Sequence, residues 1–155
     1  MKKNILFVFV AIIFLSCKQE YEPRNFETVT IQKFDIDSTS IRAIIAISID
    51  ELLFAGSRGD IGLTEDGGET WEFEYLKYQD SIVPHFRSLA KTSSAVFALS
   101  IANPALLYKI SFGEKKIVYK EEHEKVFYDA MTFLDDTTGI AIGDPIGGCT
   151  SIIMT

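Results

Sequence analysis

From Ser40 onward the chain alternates short apolar runs with polar turns, and runs of this length select strands over helices. Ile44-Ile45-Ala46-Ile47 and Leu52-Leu53-Phe54-Ala55 flank Ser48-Ile49-Asp50-Glu51, a strand, turn, strand pattern. Asp60 to Leu63 supplies a third strand. Thr70-Trp71-Glu72-Phe73-Glu74-Tyr75 alternates with the period of two that a fourth strand needs. Between the last two lies Thr64-Glu65-Asp66-Gly67-Gly68-Glu69. A carboxylate beside paired glycines suits a tight hairpin, because Asp accepts local backbone N–H bonds and Gly takes positive φ without steric cost.

The pattern then recurs at an offset of about 43 to 45 residues, the spacing of a four-stranded repeat unit. His85 to Ala90, a polar turn at Lys91 to Ser94, and Val96 to Ser100 repeat the first pair of strands, with Leu106 to Ile110 and Lys115 to Lys120 as third and fourth. Here Ser111-Phe112-Gly113-Glu114 stands where the Asp-Gly-Gly turn stood. A third copy opens at Val126 to Phe133, turns at Leu134 to Thr138, continues through Gly139 to Gly143, turns again at Asp144 to Gly148 and closes on Ser151 to Thr155. Thr155 falls at the place of Thr64.

These repeats predict an all-β chain, a partial β-propeller of about two and a half four-stranded blades, truncated inside a repeat. Blades bury their flat faces only against neighbours. An open fragment is therefore expected to be poorly soluble or oligomeric.

Thr64, Asp66, Gly68, Thr70 and Trp71 fit Ser/Thr-x-Asp-x-Gly-x-Thr-Trp, which resembles the Asp-box of BNR-type β-propellers. Ser40 to Ile44, Phe54 to Ser57, Gly59 and the later Phe127 to Met131 and Gly139 to Pro145 are similar to the WD40/YVTN/BNR-like photosystem II stability/assembly factor family, in a lipoprotein branch. Some members of that branch carry the label oxidoreductase. The resemblance implies that Asp66 closes the hairpin and that Trp71 packs beside it. It also implies that the first strand of each blade lines a central channel. Arg42, Arg87 and Asp129 occupy equivalent places on those strands, so they are expected to ring its mouth as a ligand or partner site, with Arg58, Tyr128 and Asp144 nearby.

The N-terminus alters the setting. Lys2 and Lys3, the apolar run Ile5 to Leu15 and then Ser16-Cys17 resemble a bacterial lipoprotein signal. Eleven apolar residues fall short of the roughly 20 that span a bilayer. The expected organisation is a signal peptide over 1–16, a lipidated Cys17 with a tether over 17–37, and the propeller over 38–155. This places the protein in the bacterial cell envelope, lipid-anchored and extracytoplasmic. Cys149 would then be the only thiol left, with no intramolecular disulfide available.

Composition narrows the chemistry. A hydrophobic fraction of 47% over 155 residues supports a real core, and a net charge of −7 without a basic stripe argues against nucleic acid as a partner. Asp35-x-Asp37-x-Thr39 lacks the Gly and Glu of a calcium loop, and His85 and His123 are isolated, so no metal is expected. Gly56, Gly59 and Gly62 lie in a hairpin context without a following helix, so no dinucleotide cofactor is expected. A sialidase-like glycoside hydrolase, the alternative that Asp-boxes bring to mind, needs an arginine cluster and paired catalytic groups. Only Arg24, Arg42, Arg58 and Arg87 are present, and no catalytic residue is assigned. The expectation is a scaffold that binds an envelope protein or other extracytoplasmic ligand; an enzyme, hydrolase or oxidoreductase, is the competing class.

Overall fold

Among the described residues eleven strands run in chain order: β1 (Ile41–Ala46), β2 (Leu52–Gly56), β3 (Asp60–Thr64), β4 (Glu72–Tyr75), β5 (His85–Lys91), β6 (Val96–Ile101), β7 (Ala105–Ser111), β8 (Glu114–Glu121), β9 (Tyr128–Phe133), β10 (Gly139–Ile146) and β11 (Cys149–Met154). They come from a computed structural model that describes residues 31, 33, 39–111 and 113–155. All belong to one compact unit, Phe34–Thr155. The expected signal segment, Cys17 and most of the tether lie outside the described residues.

The strands form three antiparallel meanders: β1-β2-β3-β4, β5-β6-β7-β8 and the three-stranded β9-β10-β11. Each matches one copy of the sequence repeat, in strand order, because consecutive strands joined by short turns pair with each other. Leu52 pairs with Thr64 in the first sheet. In the third, the Thr155 amide donates to Gly139 O at 3.1 Å, one rung beyond the Ile140–Met154 pair, so Thr155 does sit where Thr64 sits.

Register also decides which residues meet between sheets. Leu53, Ala55 and Ile61 on one face of the first sheet pack with Phe86, Val96, Ala98, Leu106 and Tyr108 on the facing side of the second. Leu99, Ala105 and Leu107, on the opposite face of the second sheet, pack with Val126, Tyr128 and Ala141. The second sheet is thus apolar on both faces, which explains why β6 and β7 read as nearly continuous hydrophobic runs. The outer face of the third sheet leaves Ile142, Ile152 and Met154 46%, 56% and 66% exposed.

Two local details differ from the expected strands. The fourth strand begins at Glu72 rather than Thr70, because the Thr70 amide and hydroxyl both bond Asp66, at 2.9 and 2.5 Å. Asp144 to Gly148 is not all turn: β10 continues through Pro145 to Ile146, and the reversal is confined to Gly147 and Gly148 with φ of 65° and 88°. A two-residue hairpin with positive φ at both positions matches the twist of its strands, and a bulge between Gly143 and Pro145 accommodates the proline.

Candidate functional site

The first strand of each sheet carries a bulge near its start. The register of β1 against β2 jumps between Ile41 and Ala43, that of β5 against β6 between Phe86 and Ser88, and that of β9 against β10 between Tyr128 and Ala130. The extra residue is Arg42 in the first, Arg87 in the second and Asp129 in the third. A bulge frees one residue from the ladder and re-aims its side chain. The three residues aligned from the repeat spacing therefore share one backbone irregularity at one end of three successive inner strands.

The structure joins two of them directly. Arg87 Nη2 lies 3.1 Å from Asp129 Oδ1, with the two side chains 38% and 39% exposed. The same guanidinium sits 5.6 Å from the centroid of the Phe127 ring, a cation–π distance. Arg42 is exposed, and its Nε donates to Ser40 Oγ at 3.2 Å within its own sheet. Beside this row the Ser88 hydroxyl accepts from the Met131 amide at 2.9 Å, bonding β5 to β9.

The remaining residues divide by burial. Arg58 is exposed on the tight turn Ser57–Gly59 with φ of 70°, and Asp144 is exposed with its amide donating to Phe127 O at 2.8 Å. Tyr128 is only 2% exposed and lies in the core between the second and third sheets, not at a surface mouth. Its hydroxyl donates to Glu121 Oε2 at 2.5 Å, and Tyr119 donates to the same oxygen at 2.9 Å. Burial first, then the Glu121 carboxylate, raises the Tyr128 phenol well above the ordinary tyrosine range. Tyr119 shifts the same way for the same leading reason.

Phe127, Ser88, Glu121 and Tyr119 were not singled out from the sequence. Their roles depend on contacts between sheets, which a repeat spacing does not encode.

The Thr64–Trp71 turn is a closed set of local bonds. Asp66 Oδ1 accepts from the Thr64 hydroxyl at 2.8 Å and the Thr70 amide at 2.9 Å, and the buried Gly68 amide donates to Thr64 Oγ1 at 2.8 Å. The Thr70 side chain, then its backbone, then the Thr64 hydroxyl hold the Asp66 carboxyl down to about 2. The Trp71 and Phe73 rings both pack at a tilt against Phe54, with centroids 5.2 and 6.0 Å away. Cys149 is exposed and free. Among the described residues no group of three His, Cys, Asp or Glu is placed to hold a metal.

No family model and no curated protein matches this chain. Solved structures do. It is similar to YCF48 bound to D1 peptide, with a TM-score of 0.61, 16% identity, and coverage of 75% of this chain and 37% of that one. It is also similar to YCF48 from Cyanidioschyzon merolae, with a TM-score of 0.57, 16% identity, and coverage of 76% and 34%. The fold is part of a β-propeller. This chain spans about a third of the length of the structures it matches, so its three sheets correspond to part of their propellers.

Proposed function

We propose that this chain belongs to a lipid-anchored, extracytoplasmic propeller of the BNR/Asp-box type that acts as a protein-binding or assembly scaffold without chemistry of its own. The observation that carries the reading is the coincidence of Arg42, Arg87 and Asp129 with the bulges of three successive inner strands. Charged side chains freed from the ladder at one end of such strands suit recognition of a polar peptide segment. A solved neighbour of the same fold is described as bound to D1 peptide, which supports a protein segment as the ligand class. Arg42, Arg58, Arg87, Asp129 and Asp144 are the proposed contacts. Tyr128 supports the site from the core through Glu121.

The local bonds of Asp66 support the Asp-box reading of the turn. Membrane attachment rests on the Lys2-Lys3, Ile5 to Leu15 and Ser16-Cys17 succession. Metabolic labelling with a radiolabelled fatty acid checks it: label should be lost in Cys17→Ser. For the binding site, the test is a pulldown from envelope extract with the wild type and an Arg42→Ala/Arg87→Ala double variant. Loss of a captured protein from the double variant is expected; an unchanged captured set would sink the proposal. A fluorogenic sialoside assay on the full protein that releases product would replace the scaffold with the hydrolase reading.

A further inference from the structure

The other end of the strands carries a second feature. Between the first two sheets, beside the β1–β2 and β5–β6 turns, lies a groove of about 810 Å³ lined by Ile47, Glu51 and Ile61 from the first and Lys91 and Ser94 from the second. That volume lies within the roughly 300–1,000 Å³ typical of ligand sites. Its apolar lining includes Leu53 and Leu63 from the first sheet and Val96 and Ile110 from the second, which follow from the register pairs Leu53–Leu63 and Val96–Ile110.

The charges around this groove are unbalanced. Glu51, Glu65, Glu72 and Glu74 border it from the first sheet, and Lys91 and Lys115 from the second. Both lysines are engaged. Lys115 Nζ lies 2.5 Å from Glu74, and Lys91 Nζ donates to Ala46 O and Ile47 O at 2.6 and 3.1 Å. No hydrogen bond or ion pair engages the carboxylates of Glu51, Glu65 or Glu72 among the described residues. These three groups lie at the same end of three adjacent strands, Glu51 just before β2, Glu65 just after β3 and Glu72 at the start of β4, so they form a row across the first sheet along one side of the groove.

We propose that this groove docks an extended basic peptide segment of a partner protein, with aliphatic side chains on the Leu53/Val96 floor and lysine or arginine side chains toward Glu51, Glu65 and Glu72. A row of carboxylates beside an apolar trough is complementary to cations separated along a chain, since each can meet a different carboxylate while the residues between them are desolvated. A single small cation satisfies neither the floor nor all three acids. The groove lies at the end of the strands opposite Arg42, Arg87 and Asp129, so the two sites are independent.

Fluorescence anisotropy with the full chain in non-ionic detergent tests this, using labelled Lys-Leu-Lys-Leu-Lys and the Gln-Leu-Gln-Leu-Gln control. The lysine peptide should bind at least tenfold tighter than the glutamine peptide, and the preference should weaken with added salt. A Glu51→Gln/Glu65→Gln/Glu72→Gln variant should bring the two peptides to equal affinity. Ser94→Trp, which places a large ring at the groove from an exposed turn, should reduce binding of the lysine peptide by at least tenfold; circular dichroism checks that both variants fold. The Arg42→Ala/Arg87→Ala variant should bind the lysine peptide as the wild type does, which separates this site from the inner-strand row. Equal affinity of the wild type for both peptides, or undiminished binding in either groove variant, would overturn the proposal.

Discussion

Arg87 and Asp129 are each the extra residue of a bulge in their own strand, and their side chains meet across the gap between sheets at 3.1 Å. Each is more than a third exposed, so solvent screens the pair. A double-mutant cycle with Arg87→Met and Asp129→Asn, read by urea denaturation, should give a coupling of about 0.2–1 kcal/mol. The coupling should shrink in high salt. A value above about 2 kcal/mol would mean that the pair is far less solvated than its exposure indicates.

One residue further along β5, Ser88 supplies the acceptor for the Met131 amide. Ser88→Ala leaves that partly buried N–H without its partner, and should cost about 1–3 kcal/mol. Urea denaturation measures the loss. Faster hydrogen exchange at the Met131 amide would locate it between the second and third sheets, and unchanged exchange there would contradict the assignment.

Asp66 makes stability depend on acid pH. Its carboxyl is held near 2 in the fold, against 3.8 for the ordinary group, so folding favours the ionised form. That stabilisation is present above about pH 4 and is lost as pH falls toward 2, since below both values the two states bind the same proton. Asp135 is held near 2 by the Thr137 amide and hydroxyl and contributes in the same window. Asp66→Asn should therefore flatten the fall in melting temperature between pH 4 and pH 2 without abolishing it. A wild-type slope in that variant would show that the turn hydrogen bonds do not distinguish the charged form.

Gly62 is required by its neighbour across the ladder. A Cβ there would come within 2.2 Å of the fully buried Phe54 ring, which also packs at a tilt against Trp71. Gly62→Ala should cost about 1–3 kcal/mol through overpacking. Adding Phe54→Leu, which vacates the ring edge, should recover part of the loss; a double variant no better than the sum of the singles would place the strain elsewhere.

Much of this architecture was readable because it is local. Strand lengths, the Asp-Gly-Gly turn and the repeat offset are properties of consecutive residues, and meanders pair consecutive strands. The same offset aligned Arg42, Arg87 and Asp129, and the three bulges share that alignment. Asp144-Pro145 misled the reading of β10, since a proline beside an aspartate favours a turn in isolation, whereas here a bulge keeps the strand paired through to Cys149.

Side-chain environments followed a different rule. Tyr128 and Asp129 are adjacent in sequence, but Asp129 is the extra residue of a bulge, which re-aims its side chain away from the ladder. One is buried against Glu121, and the other reaches Arg87. Period-two alternation also leaves open which flat face meets which neighbour. Only the stacking of the sheets put Phe127 against Arg87, brought Tyr128 to the carboxylate that Tyr119 bonds from its own strand, and enclosed a groove beside Glu51, Glu65 and Glu72. Fold class and repeat phase were thus set by short-range pattern, because turns and strands answer to their own residues. The inner-strand site was decided by tertiary packing, because Arg87 and Ser88 meet Asp129 and Met131 from strands one repeat away, and only when the sheets stack.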